Sequence, residues 1–129
     1  MFRYRLSPMA EQDVEALLAW MHEQFGEPVR LRYEALLVRA ILDLAEDVGR
    51  AGSLERTELG KGVFAYHLRH SRDQVSRSVG PISNPQHLLL YRPSNEDGCL
   101  EIGRVLHDSL ELSLHRSPDD QSPGAEFPA

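Results

Sequence analysis

The sequence predicts an α+β fold: an N-terminal strand, a helical hairpin, then a three-stranded antiparallel meander completing one four-stranded sheet. Three patterns predict it. Apolar residues alternate at the start, recur at three- and four-residue steps through residues 8–48, and alternate again in three later segments. The length, 129 residues, fits one domain with room for a single core.

Phe2, Tyr4 and Leu6 alternate with Arg3 and Arg5, the period of a half-buried strand. Ser7-Pro8 supplies an N-cap and a first helical residue, and Glu11 and Asp13 add carboxylates favourable to the helix dipole. Val14, Leu17, Leu18, Met21 and Phe25 form the first apolar stripe, which Gly26 stops. Pro28 opens a second helix with the stripe Tyr33, Leu36, Leu37, Ala40, Ile41, Leu44, Ala45 and Val48, closed by Gly49. So short a connection folds the two helices into a hairpin, whose joint apolar face needs a sheet beneath it.

Residues 50–62 carry three glycines and no period, and read as loop. Residues 63–70 (VFAYHLRH) alternate as a strand, and 71–85 form a long polar connection. Residues 86–92 (QHLLLYR) read as a buried strand, PSNEDG as a turn, and 99–107 (CLEIGRVLH) as the antiparallel return. Leu110, Leu112 and Leu114 can cover a sheet edge. The domain is expected over 1–116, with 117–129 (SPDDQSPGAEFPA) a disordered acidic, proline-rich tail. The sheet face away from the helices is expected to be open to solvent and to hold the site.

The formal net charge of −6 argues against a surface devoted to nucleic-acid backbones. Residues 65–116 hold six arginines, six acids and five of the six histidines. One cysteine, Cys99, excludes an internal disulfide and fits a reducing compartment. No membrane span, secretory signal, glycine-rich phosphate loop or metal-ligand spacing occurs, so a cytoplasmic protein without metal or cofactor is expected. His67 and His70, three apart on a strand, would face opposite ways and make poor co-ligands.

The strongest candidate surface gathers Arg69, His70, Tyr91, Arg92, Arg104 and His107, because three separate strands carry the arginines. Arg104 interrupts the face Leu100, Ile102, Leu106, so it is either paired, with Glu101, Glu58 or Asp108, or directed into a site. Glu101 and His107 share a face if their strand is regular. Histidine, tyrosine and arginine can supply the base, acid and cation of metal-free RNA cleavage, although nothing in the spacing demands it. Arg72 and Arg77 place further positive charge on the long connection, a candidate contact segment.

Five strings in the same order, 4–26 (YRLSPMAEQDVEALLAWMHEQFG), 44–52 (LAEDVGRAG), 67–72 (HLRHSR), 85–93 (PQHLLLYRP) and 101–112 (EIGRVLHDSLEL), resemble the ParE/RelE toxin superfamily, more closely its ParE side. The resemblance spans residues 2–115 and includes the plasmid stabilisation family. It implies a growth-inhibiting toxin neutralised by a cognate antitoxin, whose helix would lie in an apolar groove. ParE-like members are associated with poisoning DNA gyrase, and RelE-like members cut messenger RNA on the ribosome. For the ribonuclease alternative, the resemblance offers Arg69, Arg92, Arg104 and His107 as catalytic candidates. No tyrosine follows Tyr91 and Lys61 is the only lysine, which favours the ParE-like reading, with no catalytic residue. A third reading is an inactive toxin-like protein that still binds antitoxin. Contact with target or antitoxin is expected through Arg69, His70, Arg72, Arg77, Tyr91, Arg92, Arg104 and His107.

Overall fold

A computed structural model describes residues 2–74, 82, 84–94 and 96–109. Strand β1 (Arg3–Leu6) leads through Ser7, whose hydroxyl accepts the Ala10 N–H, into α1 (Pro8–Phe25). The N-cap costs the strand its continuation: at Ser7-Pro8 the chain commits to helix. Gly26 alone joins α1 to α2 (Glu27–Glu46), at φ +88°, a conformation natural to glycine. Its N–H donates to the His22 carbonyl, so one residue ends one helix and begins the next.

Among the described residues the sheet has five strands, not four, in the order β1-β5-β4-β3-β2. The extra strand is β2 (Leu54–Glu55), two residues within the stretch read as loop, paired antiparallel with Ala65 and Phe64 of β3 (Phe64–His67). Two residues are too short to show a period, so its signal was only the Gly60 and Gly62 turn, where both φ angles are positive. Strand β3 is shorter than expected, because His67 caps a single 3-10 turn over Leu68–His70 by accepting the Arg69 N–H. Strands β4 (His87–Ser94) and β5 (Cys99–His107) form the expected hairpin. β1 runs parallel to β5, pairing Arg3–Leu6 with Cys99–Ile102, so the sheet is mixed.

The helical hairpin covers one face of the sheet. Leu17, Met21, Leu36, Ala40 and Leu44 from the helices pack with Tyr66, Leu89, Tyr91, Leu100 and Ile102. The opposite face is not simply open, as expected, but carries a smaller core of Leu59, Val63, Ala65, Leu90 and Leu106. Leu59 reaches it from the 3-10 turn Thr57–Leu59. The register shifts at Leu90/Tyr91, whose partners are Arg104 and Ile102, leaving Gly103 as the extra residue of a bulge. The bulge inverts the alternation of β5, so Glu101 and His107 do not share a face. Arg77, Leu110, Leu112, Leu114 and the 117–129 tail lie outside the described residues.

Candidate functional site

Arg69 and Arg92 do not gather, whereas Arg104 stands opposite Leu90, two residues from Arg92 on the adjacent strand. Arg69 sits exposed on the turn after β3, and Arg92 lies at the other end of the β3–β4 ladder with its Nε donating to the Lys61 carbonyl at 3.2 Å. The register from Phe64–Tyr91 to His67–Leu88 lies between them, which at about 3.3 Å per residue is roughly 10 Å of strand. The expectation of three neighbouring strand arginines failed through register rather than the turn at His67: a β3 continued in the same pairing would set Arg69 opposite Gln86, six residues from Arg92. Arg104 is a paired residue, but its partner is none of the three acids considered. Asp13 on α1 takes its Nε at 2.8 Å and its second guanidinium nitrogen at 3.2 Å, and also accepts the Val105 N–H at 2.9 Å.

Tyr91 is buried and cannot meet a partner at the surface. Its hydroxyl donates to the Val48 carbonyl at 2.6 Å and stands 2.9 Å from Ser53 Oγ, pinning the end of the hairpin to the sheet. Burial raises its pKa. His70 packs its ring 5.5 Å from that of Tyr66, and burial, then Arg69, lower its pKa. Arg72 is exposed on the turn Arg72–Gln74.

Arg104 and His107 border one concavity, a groove between α1 and the far half of β5. One part, about 440 Å³, lies between Asp13, Ala16 and Trp20 and the Arg104–His107 stretch. The adjoining part, about 260 Å³, is walled by Met21, Phe25, Val29, Tyr33 and Ile82. Trp20, His87 and His107 belong to both. Trp20 is 48% exposed and Phe25 55%, and their rings meet edge to face with centroids 5.6 Å apart. Two large apolar side chains left this open mark a surface that gains by being covered.

Beneath them lies a polar network. The Tyr33 hydroxyl stands 2.6 Å from His87 Nδ1 and accepts the Gln86 N–H at 3.1 Å. Burial pushes Tyr33 up to about 12, and burial, then the neighbouring His107, pushes His87 down to about 4. At neutral pH Tyr33 therefore keeps its proton and donates it to an uncharged His87, which carries its own proton on Nε2. The His87 and His107 rings meet edge to face at 5.1 Å, and His107 Nε2 lies 3.3 Å from Gln86 Oε1. Asp108 holds His67 Nε2 at 2.9 Å, while Glu101 pairs with Arg5 at 3.2 Å. Among the described residues, no group of three or more His, Cys, Asp or Glu is arranged to hold a metal. No described helix is long and apolar enough to cross a membrane.

Sequence reasoning missed Trp20, Phe25, Tyr33 and His87. The helical spacing places Tyr33 and Phe25 in apolar stripes, and the QHLLLYR run places His87 in a buried strand. The available signal was Trp20, the only tryptophan, standing off the apolar stripe of its own helix.

A helical hairpin on a mixed sheet whose first strand runs parallel to its last is a RelE-like fold. It is similar to the RelBE2 toxin–antitoxin complex from Mycobacterium tuberculosis, at 23% identity and a TM-score of 0.51, over 82% of this chain and 96% of that one. The comparison with curated proteins finds no match. The model of the ParE toxin of type II toxin–antitoxin systems matches residues 4–111, and the chain belongs to that family.

Proposed function

We propose that this chain arrests growth by binding, with DNA gyrase as its target, and that a cognate antitoxin neutralises it by laying an amphipathic helix in the Trp20 groove. The observation that carries the binding reading is the separation of Arg69 from Arg92 together with the pairing of Arg104 to Asp13. Cleavage of a phosphodiester needs base, acid and cation around one phosphate. Arg69 and Arg92 stand apart, and the arginine in the groove is clamped by Asp13. ParE family membership supports gyrase as the target. The apolar walls and exposed Trp20 support a helix as the occupant.

The test is regulated expression of the chain alone, with plasmid supercoiling, DNA breaks and transcript integrity followed in parallel. DNA breaks with intact transcripts are expected, and purified gyrase should lose supercoiling activity in the presence of the protein. Early transcript cleavage with replication intact would overturn the gyrase reading. The ribosome-dependent ribonuclease draws on one observation, the presence of His107 and Arg104 in a single groove. Loss of cleavage in His107→Ala, with the fold kept, would support it. For the antitoxin, Trp20→Ala is expected to weaken binding by about 2 kcal/mol, the scale of an aromatic hot spot. Unchanged affinity would remove the groove from the complex.

A further inference from the structure

The outward side of α2 carries a second apolar stripe that the core does not use. Leu31, Ala35, Val38 and Leu42 follow one another at steps of four, three and four residues, the spacing of a coiled-coil seam. At about 3.6 residues per turn they lie roughly opposite Tyr33, Leu37, Ala40 and Leu44, which are buried in the main core. Leu31 is 44% exposed and Val38 48%, with Ala35 and Leu42 half-buried beside them. Charge is sorted along the two flanks of this stripe, Glu27 and Glu34 on one and Arg32 and Arg39 on the other. Arg30 reaches the two glutamates only at 3.8 and 3.7 Å, and their side chains stay 65% and 47% exposed. Arg39 gives its Nε to Asp43 at 3.0 Å, and its guanidinium has two further nitrogens. Each glutamate precedes an arginine of the opposite flank by five residues, 27 to 32 and 34 to 39.

We propose that two copies of this chain pair through α2, the helices side by side and parallel, about a two-fold axis running along them. Parallel pairing lays the acidic flank of each helix against the basic flank of the other, with Glu27 beside the second copy's Arg32 and Glu34 beside its Arg39. Each contact occurs twice, as two-fold symmetry requires. Antiparallel pairing would set glutamate against glutamate and arginine against arginine. The complementarity lies within one sequence, at the register that symmetry imposes, which favours a second copy over a foreign helix. The core side of α2 points away from the seam, so the two bodies point apart. The helix is already held by its own core, so association need not supply the cost of forming it. Four layers over about 17 Å of helix fall below a standard interface of about 1,200 Å², so dimers are expected at roughly micromolar concentrations and above. Val29 and Tyr33, the α2 residues of the Trp20 groove, lie on another side of the helix, and the pairing does not depend on the functional reading above.

Sedimentation equilibrium of the full chain, from about 1 to 300 μM, should show a monomer–dimer equilibrium. Val38→Glu should weaken it about 100-fold or more, with circular dichroism and melting temperature unchanged, because the position is exposed. Glu34→Lys should weaken it by up to about tenfold. In a Cys99→Ser background, Leu31→Cys and Leu42→Cys should each form a disulfide with its own mate on mild oxidation. A monomer at every concentration overturns the proposal, as does a dimer that Val38→Glu leaves intact. A disulfide that forms only between the Leu31→Cys and Leu42→Cys chains would make the pairing antiparallel and overturn it too. If the native chain is monomeric and Val38→Glu abolishes antitoxin binding, the face belongs to the antitoxin and not to a second copy.

Discussion

Acid should weaken this fold through His87. The imidazole is 7% exposed, lies under the helical hairpin, and accepts from Tyr33 in the folded protein. Its pKa falls from 6.5 to about 4, first because burial penalises the charged ring and then because His107 stands beside it. His67 lowers it further, and Asp108 opposes the shift. A depressed folded pKa means the unfolded chain binds the extra proton first. The stabilisation is therefore complete above pH 6.5 and is lost as the pH falls towards 4. The difference of roughly 2.5 units corresponds to about 3 kcal/mol at most, with about 2.5 kcal/mol already lost at pH 4.5. Urea unfolding at pH 7, 5.5 and 4.5 measures it. His87→Asn, which keeps an acceptor for Tyr33 but cannot take the proton, isolates it from other titrations. The native chain should lose about 2 to 3 kcal/mol more than the variant over that range. Parallel stability–pH curves for the two proteins would refute the reasoning.

Three further outcomes rest on other contacts. Asp13→Ala, Arg104→Ala and the double variant form a cycle whose coupling should be about 1 to 3 kcal/mol. The pair is half-buried, and Asp13 also holds the Val105 amide. A coupling near zero by urea unfolding would make the pair incidental. Asp43→Ala should cost about 3 to 5 kcal/mol, since the buried carboxylate accepts from Arg39 at 3.0 Å and Ser71 at 2.6 Å and faces Arg50 at 3.3 Å. Gly52→Ala should destabilise by about 1 to 3 kcal/mol, because φ is +100° and a Cβ would meet His70 Cγ at 2.6 Å. Adding His70→Ala should recover only the steric part, and thermal melts of the two variants separate the contributions.

The helices and the β4–β5 hairpin were legible because their signals are local. Ser7-Pro8 and Gly26 are chemical stop marks, and the stripes from Leu17 to Leu44 have enough turns to show their period. What escaped depends on partners distant in sequence. A two-residue strand such as Leu54–Glu55 exists only because Ala65 and Phe64 offer it an edge. The Gly103 bulge likewise reverses Glu101 against His107 through pairing, and no count along β5 reveals it. The candidate arginines depend on pairing in the same way: the β3–β4 register sets position 69 opposite position 86, far from Arg92, and no local pattern reveals it.

The groove has a cause that unites these points. Strand β1 is four residues long and its partner β5 nine, so β1 borders only Cys99–Ile102. Beyond Ile102 the edge of β5 faces α1, because Ser7 has already turned the chain into helix and its Oγ donates to the Gly103 carbonyl at 2.8 Å. A helix cannot satisfy a strand edge with its own backbone, whose groups are engaged along its axis. Asp13 therefore supplies by side chain what a neighbouring strand would supply by carbonyl, taking the Val105 amide, with Arg104 balancing the charge. That substitution leaves a gap between helix and strand, and Trp20, about two turns further along the same side of the helix, hangs over it. Lengthening β1 would close the gap with a backbone ladder and remove the surface. The short first strand, written as Leu6-Ser7-Pro8, is thus what gives this chain its groove.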